Sequence, residues 1–298
     1  MSITLRKIIF CFVGLLAGLA AWPVAEIILL FQVSFPSYLM FSIFLGAIFG
    51  LVIGLFMGAK EGQAPSNRKS LFNRIIAGSL VGVLGGAVGF LIGQALLFVL
   101  GEYFIHSGRA HSALGLPLSR AVGWAFLGLF VGVTDGVRSG SLRKIKVGAL
   151  GGLLGGILGG LALQYIGIFI ENMMYARFAG LLLLGLSIGF FYGLVEDRLS
   201  FGVLRLLNGK FKGKEFLINQ RKTRIGSAGK MDIQLNQYGT VADFQAEIVS
   251  KKDCLLIKSR DEKGTVIVND SLINEHELKF EDVIQIGKAK MIYLARSL

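Results

Sequence analysis

The feature that most limits how this chain can fold is a succession of six long apolar runs in its first two thirds. Each has about 20 residues or more, the length that an α-helix needs to cross the hydrocarbon core of a bilayer. Because unpaired backbone polar groups are too costly in lipid, such runs are predicted to be transmembrane helices. The predicted spans are residues 8–31, 37–59, 75–100, 119–137, 146–169 and 176–195.

The distribution of acidic residues divides the chain into two parts. Residues 1–198 hold only 7 of the 19 Asp and Glu residues, and residues 199–298 hold the other 12. The first part is therefore predicted to lie in lipid. The second part has the charged composition of a globular domain in water.

The membrane part contains an internal repeat. Its even-numbered runs end in similar segments, which are Gly54–Gly62, Gly128–Gly136 and Gly189–Asp197. The first run follows the same frame as the other odd-numbered runs, so Met1–Pro23 is interpreted as part of a helix and not as a cleaved signal peptide. The predicted transmembrane domain at 1–198 is thus three helical hairpins, at about 1–62, 68–136 and 143–198.

Glycines recur at every fourth position of the third and fifth runs. Residues four apart share one helix face, and faces of small residues let helices approach closely in lipid. The pattern favours tight packing of six helices within one chain. Self-association into a multi-chain pore or ring is the alternative, because the pattern does not identify the partner helix. The predicted packing residues are Gly78, Gly82, Gly86, Gly148, Gly152 and Gly156.

Basic residues determine the predicted orientation. Lys and Arg are concentrated before the first run and in the loops at 60–74 and 136–146, and such an excess marks cytoplasmic loops. With six spans, both termini are predicted to be cytoplasmic, in a cell (inner) membrane. The net charge of +12 is then attributed to topology and to contact with the lipid bilayer. We expect no nucleic acid among the partners.

Ionisable residues occupy equivalent positions near the predicted cytoplasmic ends of the helices, where such residues are candidates for function. The favoured interpretation is a set of interfacial ion pairs between neighbouring helix ends. A ring of carboxylates that binds a cation is the alternative. The residues are Glu61, Asp135, Glu196, Arg74 and Lys144.

Three further polar residues, Glu26, Gln94 and Gln164, lie near the opposite ends of the odd-numbered runs. Contact with lipid headgroups is the favoured interpretation, and a polar layer between helices is the alternative. His106 and His111 fall in a loop predicted at 101–118. They are interpreted as solvated residues and not as a metal site, since no third ligand is fixed.

The sequence contains no set of residues typical of catalysis. It has no recognisable nucleophilic triad, no phosphate-binding glycine loop between a strand and a helix, and no Cys pair at zinc spacing. We therefore predict that the chain is not an enzyme and needs no cofactor and no metal.

The last part of the chain alternates short β-prone runs with turn residues, a pattern typical of a sandwich or barrel. Its expected organisation is a juxtamembrane linker and first-strand lead-in at 199–214, followed by a β-domain at 215–298. Five segments follow, in order, the pattern of the forkhead-associated (FHA) domain. They are Arg224–Ser227, Asp232–Leu235, Ala242–Ile248, Lys263–Asp270 and Leu278–Gly287.

Residues 205–297 therefore resemble an FHA domain, a β-sandwich that recognises phosphothreonine in protein partners. The expected fold class is membrane α-helical, with six transmembrane helices as three repeated hairpins, plus a cytoplasmic all-β FHA-like sandwich. The resemblance implies a protein-binding module held at a membrane, as in signalling or in larger inner-membrane assemblies. A channel or transporter regulated by this domain is the alternative, because one helix would suffice as an anchor.

The phosphate-contacting positions of that family are replaced in this chain. The Arg of Gly-Arg, the Ser of Ser-Arg-x-His and the Asn of Asn-Gly-Thr correspond to Ser227, Ala242 and Lys263. Without those donors, and with Asp243 nearby, phosphate binding should be weak. The resemblance therefore predicts a degenerate FHA domain that binds a cytoplasmic or membrane protein partner independently of phosphate.

An anion site rebuilt from Arg224, Lys230 or Lys263 is the alternative to phosphate-independent binding. In either case the loops that carry the family's ligand contacts are the predicted partner-binding site. Its residues are Arg224, Ser227, Lys230, Ala242, Asp243, Gln245, Lys263 and Thr265.

Overall fold

The structure, a computed structural model, describes two compact units that separate near residue 197. One unit is Arg6–Glu196, and the other combines Met1–Leu5 with Asp197–Leu298. The described residues are 3–59, 68–107, 111–139, 141–198, 200–218, 220–229, 231–250, 254–260 and 265–295.

Six α-helices form the first unit, and each contains a segment long and apolar enough to cross a membrane. The six predicted helices are thereby confirmed. Their bounds are α1 Ile3–Leu30, α2 Tyr38–Ala59, α3 Arg68–Ser107, α4 His111–Ser139, α5 Leu142–Phe169 and α6 Met173–Arg198.

The connection between α3 and α4 differs from the prediction. Residues 101–107 belong to α3 and residues 111–118 to α4, so the expected loop at 101–118 is wrong for the described positions, including His106 and His111. The physical reason is that the apolar run marks only the part of a helix suited to lipid. Backbone hydrogen bonding continues past that part wherever the local residues permit a helix.

Glycine faces bring neighbouring helices into backbone contact. A Cβ atom added to Gly128 on α4 would clash with the carbonyl oxygen of Gly152 on α5. Only a glycine allows backbones to approach so closely. The same relation joins Gly54 on α2 to Gly78 on α3, and Gly185 on α6 to Gly14 on α1.

All six predicted packing glycines lie in such contacts. On α3, Gly78, Gly82 and Gly86 face α2, and on α5, Gly148, Gly152 and Gly156 face α4. The second glycine face of α5 packs on α6, with Gly155 against Ile188. These backbone contacts of α2 with α3, α4 with α5 and α6 with α1 join different predicted hairpins. The division into three hairpins stays a prediction.

Large side chains fill the centre of the helical unit. The indole of Trp124 packs against the rings of Phe49 and Phe90 in tilted and edge-to-face contacts, with centroid separations of 5.1 and 4.9 Å. Ile53, Leu127 and Leu184 are almost completely buried in the same cluster. The interior of the bundle is therefore closed by apolar side chains at this level.

The second unit is an all-β sandwich of two sheets. The strand order is β2-β1-β11-β10-β7-β8 in one sheet and β4-β3-β5-β6-β9 in the other. The core between the sheets includes Leu204, Ile225, Ile248, Ile257 and Ile284, all fully buried. The predicted sandwich is confirmed. Its strands are β1 Gly202–Leu206, β2 Glu215–Ile218, β3 Lys222–Gly226, β4 Ile233–Gln234, β5 Ala246–Ser250, β6 Leu255–Ser259, β7 Val266–Val268, β8 Ser271–Leu272, β9 Glu275–Glu277, β10 Val283–Ile286 and β11 Ala289–Ala295.

Strand β1 lies inside the 199–214 segment that was expected to lead into the first strand. It pairs with β11 and β2, and Leu204 is fully buried. The segment follows the last helix almost directly, and its few apolar residues resemble the end of the membrane region. Only strand pairing shows that they belong to the sandwich.

Candidate partner-binding site

Three loops converge at one end of the sandwich, where β3 ends, β5 begins and β6 leads to β7. Backbone and side-chain hydrogen bonds join Ser227, Ala242, Asp243, Gln245 and Thr265. These five residues are called the loop cluster below. Five of the eight predicted partner-binding positions are therefore brought together by the fold.

Close backbone contact connects the first two loops. A Cβ atom on Gly226 would clash with the carbonyl oxygen of Asp243, so this position requires glycine. Immediately after it, the Ser227 N–H donates to the Ala242 carbonyl at 2.9 Å, and the Ala228 N–H donates to the Asp243 carbonyl at 3.3 Å. These bonds fix the side chains of Ser227 and Asp243 beside each other.

The exposed side of the loop cluster is acidic. The Ser227 hydroxyl donates a hydrogen bond of 3.0 Å to the Asp243 carboxylate. Asp243 is exposed. Ser227 stands where the family has an Arg, and Asp243 stands where Ser-Arg-x-His has its Arg. The described cluster residues include no cation, so a dianionic phosphate would meet a carboxylate.

Gln245, which was predicted to contact a partner, is buried and bonds to the loops of the cluster; its role in partner binding stays a prediction. Its side-chain oxygen accepts from the Ala242 N–H at 3.0 Å, and its amide nitrogen donates to the Thr265 carbonyl at 2.9 Å. Gln245 occupies the His position of the family pattern. Because an amide offers one donor and one acceptor group, it can brace two loops there.

Arg224 makes its polar contacts away from the loop cluster. Its backbone N–H donates to Asp232 Oδ2 at 2.9 Å, and its Nε lies 3.8 Å from the same oxygen. Asp232 thus anchors the loop that follows β3. Lys230 and Lys263, the other cations of the alternative anion site, lie outside the described residues.

A second polar network surrounds the start of β10, at the end of that strand away from Thr265. The carboxylate of Asp282 accepts from Asn269 Nδ2 at 2.8 Å and from the Lys279 N–H at 2.7 Å, and it contacts His276 Nε2 at 3.0 Å. Burial alone would raise the pKa of Asp282, but these hydrogen bonds and the imidazole together lower it below its ordinary value. The network is structural, because Asp282 is largely buried.

The predicted ion-pair residues of the helical unit are only partly described. Arg6 on α1 binds Glu196 on α6 through two bonds, of 2.7 and 3.1 Å, and the Glu196 side chain is only 4% exposed. Lys144 lies in the first turn of α5, whose N-cap is Ser141, and Arg74 lies in α3. Glu61 and the side chain of Asp135 fall outside the described part, so the carboxylate ring stays untested.

The polar residues at the opposite helix ends correct the favoured interpretation of headgroup contact. Each one bonds to the neighbouring helix across a glycine interface, and together they form a polar layer. The pairs are Glu26 with Arg177 at 2.7 Å, Gln94 with Ser42 at 3.0 Å, and Gln164 with Arg120 at 3.1 Å. The equal spacing of the three residues in their repeats was the sequence signal for this layer.

Comparisons with known proteins bear on the β-sandwich alone. Residues 205–296 match a family model described as the inner membrane component of T3SS, cytoplasmic domain. No curated protein matches the chain. Among solved structures, the FHA domain of the CT664 protein from Chlamydia trachomatis is 23% identical, over 32% of this chain and 98% of that chain, with a TM-score of 0.30. The cytoplasmic domain of the T3SS sorting platform protein PscD from P. aeruginosa is 15% identical, over 33% and 83%, with a TM-score of 0.29.

Six membrane-length helices followed by this sandwich define the class of the chain: a multi-pass membrane protein with a C-terminal FHA-like domain. Within that class, its sandwich is similar to the cytoplasmic domain of a T3SS inner membrane component.

Proposed function

We propose that the chain is a membrane-anchored scaffold whose FHA-like domain binds a protein partner without requiring phosphate. The observation that carries the proposal is the hydrogen bond from the Ser227 hydroxyl to Asp243. At the positions where the family presents cationic and hydroxyl donors to phosphate, this chain has a neutral donor bonded to a carboxylate.

Phosphate recognition needs donors that are free to turn toward the anion. In the loop cluster the Ser227 hydroxyl already donates to the Asp243 carboxylate. The Ser227 N–H donates to the Ala242 carbonyl, and the Ala242 N–H donates to the side-chain oxygen of Gln245. A phosphate would have to displace these bonds and approach the Asp243 carboxylate. The cluster therefore suits a partner surface that offers donors, such as Lys or Arg side chains.

Two further observations support a scaffold in an inner membrane. The matched family is described as the inner membrane component of T3SS, and this favours a role within a larger membrane assembly. The excess of Lys and Arg at 60–74 and 136–146, around the sequence junctions of α2 with α3 and of α4 with α5, favours a cytoplasmic sandwich. We infer that the helices position the domain at the membrane and that recruitment occurs through the loop cluster.

The channel alternative has less support. Trp124 packs against Phe49 and Phe90 in the middle of the helical unit, and Leu127 in the same cluster is fully buried. An open pathway along the bundle would have to displace this packed layer. We therefore favour an anchoring role for the helices over conduction.

A charge reversal in the loop cluster tests the proposal in the full-length protein. Detergent-solubilised protein, its Asp243→Arg variant and a chain truncated at Ser200 are used to capture partners from native membranes, followed by mass spectrometry. Glu277→Arg is the matched control, because it makes the same charge change at an exposed position on β9. We expect that the truncated chain and the Asp243→Arg variant both fail to capture a set of proteins that the Glu277→Arg variant still captures.

Phosphate independence is tested on the same full-length protein with a phosphothreonine peptide library and its unmodified counterpart. We expect no preference for the phosphorylated library. The double variant Ser227→Arg, Ala242→Ser restores two family residues and serves as the positive control. A preference of at least tenfold for phosphopeptides in the unaltered protein contradicts the proposal.

A further inference from the structure

A cavity of about 710 Å³ lies between the helices, at the end of the bundle that holds the polar layer. Small-molecule sites have volumes of roughly 300–1,000 Å³, with apolar walls and a few polar groups. The floor of this cavity is the aromatic layer of Phe49, Phe90 and Trp124, and its walls include Leu45 and Leu163. The cavity therefore has the size and the composition of a ligand site.

The polar layer crosses the cavity above its floor. Arg120 and Gln94 each lie four residues from the floor residues Trp124 and Phe90, or one helical turn, which is about 6 Å along the axis. Their hydrogen-bond partners, Ser42 and Gln164, also line the cavity. A molecule in the cavity would thus meet polar groups near the entrance and apolar groups deeper inside.

The charges in this layer do not cancel. Arg177 is neutralised by two short hydrogen bonds to Glu26. Arg120 bonds only to the amide oxygen of Gln164 and contacts no carboxylate among the described residues. Glu171 also lines the cavity and is exposed, as Arg120 is, but it lies two residues beyond the end of α5 and forms no ion pair with Arg120. The layer itself therefore carries one uncompensated positive charge.

We propose that this cavity binds an amphiphilic anion, a molecule with one carboxylate or phosphate group and an apolar chain. The anionic group pairs with Arg120, and the chain packs against Leu45, Leu163 and the aromatic floor. A guanidinium held by a neutral amide at the edge of lipid gains a charge-assisted partner in this way. The apolar walls exclude a fully hydrophilic anion, because such a ligand would leave them covered by water.

The two tryptophans of the chain make the site directly observable. Trp124 is the floor of the cavity, whereas Trp22 does not line it and packs on Phe178. Trp22→Phe leaves Trp124 as the sole reporter, and Trp124→Phe leaves Trp22 as the control. The probe is laurate brominated a few carbons from its carboxylate, since bromine quenches indole fluorescence on contact.

We expect saturable quenching of Trp124 that unlabelled laurate reverses, and only linear quenching of Trp22. The brominated alcohol and the brominated trimethylammonium amphiphile should bind at least about tenfold more weakly than the anion. Arg120→Gln should weaken the anion about tenfold or more and leave the alcohol unchanged, as expected for loss of one charge-assisted hydrogen bond. Arg120→Lys should retain most of the affinity.

Equal quenching of Trp124 by all three amphiphiles overturns the proposal, as does linear quenching like that of Trp22. The head-group comparison uses no Arg120 variant, so it decides the question even where Arg120→Gln fails to fold. Native mass spectrometry before and after detergent exchange then distinguishes the source of the anion. A retained phospholipid that blocks laurate until it is removed identifies a membrane lipid, and immediate laurate binding identifies a free fatty acid.

Discussion

The helical unit and the β-sandwich of this chain are stabilised in opposite ways. In the helices, the closest contacts are between glycine backbones, as between Gly128 and Gly152. In the sandwich, large side chains such as Ile225, Ile248 and Ile257 fill the space between two sheets. The helical unit packs closely because glycines have no side chains, and the sandwich packs closely because large side chains fill its core.

The difference follows from the solvent of each unit. Lipid tails are as apolar as leucine side chains, so burial of leucine brings helices in a membrane no gain, and close van der Waals packing takes its place. Water makes burial of each large apolar side chain favourable by about 1.5–3 kcal/mol. The same substitution should therefore have opposite consequences in the two units: enlarging a residue damages the bundle, and shrinking one damages the sandwich.

The largest effect is expected from Gly152→Leu. The new side chain would meet the carbonyl of Gly128, and a backbone cannot move aside as a flexible side chain can. We expect a loss of about 3 kcal/mol in bundle stability, the upper end of the usual cost of overpacking because the clash is with backbone, measured as thermal unfolding in detergent by tryptophan fluorescence. Gly167→Leu is the control on the same helix, since nothing lies within 4 Å of a Cβ atom at Gly167. Equal melting temperatures of the two variants would refute the backbone-contact model.

The next largest effect on stability is expected from Ile257→Ala, which leaves a cavity in the sandwich core. Ile257 is fully buried on β6, and deletion of such a side chain costs about 2–5 kcal/mol. We expect faster hydrogen exchange across β5 and β6 of the full-length protein, with the six helices unchanged. Leu256→Ala, which alters the half-buried neighbour on the other face of β6, should produce a smaller change. Faster exchange in the helices as well would show that the two units do not unfold independently.

The smallest effect concerns pH and only the sandwich. Because hydrogen bonds hold the pKa of Asp282 below its ordinary value, its contribution is complete above about pH 3.9. It is lost as the pH falls through the lowered pKa of the folded state. Asp282→Asn should lower the free energy of unfolding by about 1–2 kcal/mol at neutral pH. It should also make that free energy fall less steeply as the pH is lowered. Urea unfolding followed by fluorotyrosine NMR of Tyr238 and Tyr293 measures both changes.

Asp243→Asn is the matched control for the pH experiment, because it removes the same charge from an exposed loop where the carboxylate has one described side-chain bond, to Ser227. We expect it to leave the acid dependence nearly unaltered. An identical profile for the two variants would contradict the assignment of acid sensitivity to Asp282.

The candidate site was only partly predictable. The order of the FHA-like segments identified the loops, and the substitutions at Ser227 and Ala242 indicated the loss of phosphate donors. The sequence placed Gln245 among the surface contacts, since a single glutamine is as compatible with the surface as with the interior. Only the fold shows that its amide has two backbone partners within reach.

The polar residues of the bundle illustrate the same limit. Repeat spacing made Glu26, Gln94 and Gln164 equivalent, but spacing along a helix does not specify what lies on the facing helix. Glu196 pairs with Arg6 on α1, a residue outside the predicted ion-pair set. A shift of one residue turns a helical side chain by about 100°, so the rotation of α1 decides the partner.

Six membrane helices, their glycine faces and an FHA-like sandwich with Ser227 and Ala242 at two of the family's phosphate-contact positions could be predicted from the sequence. These properties depend on the length and period of apolar runs and on residue identity within short motifs, which are local. Only the fold shows that α1 packs on α6, that β1 belongs to the sandwich and that Arg120 lines a cavity with no carboxylate partner among the described residues. These depend on which distant segments meet, and a glycine face, a short strand or a lone arginine is compatible with many partners until the fold selects one.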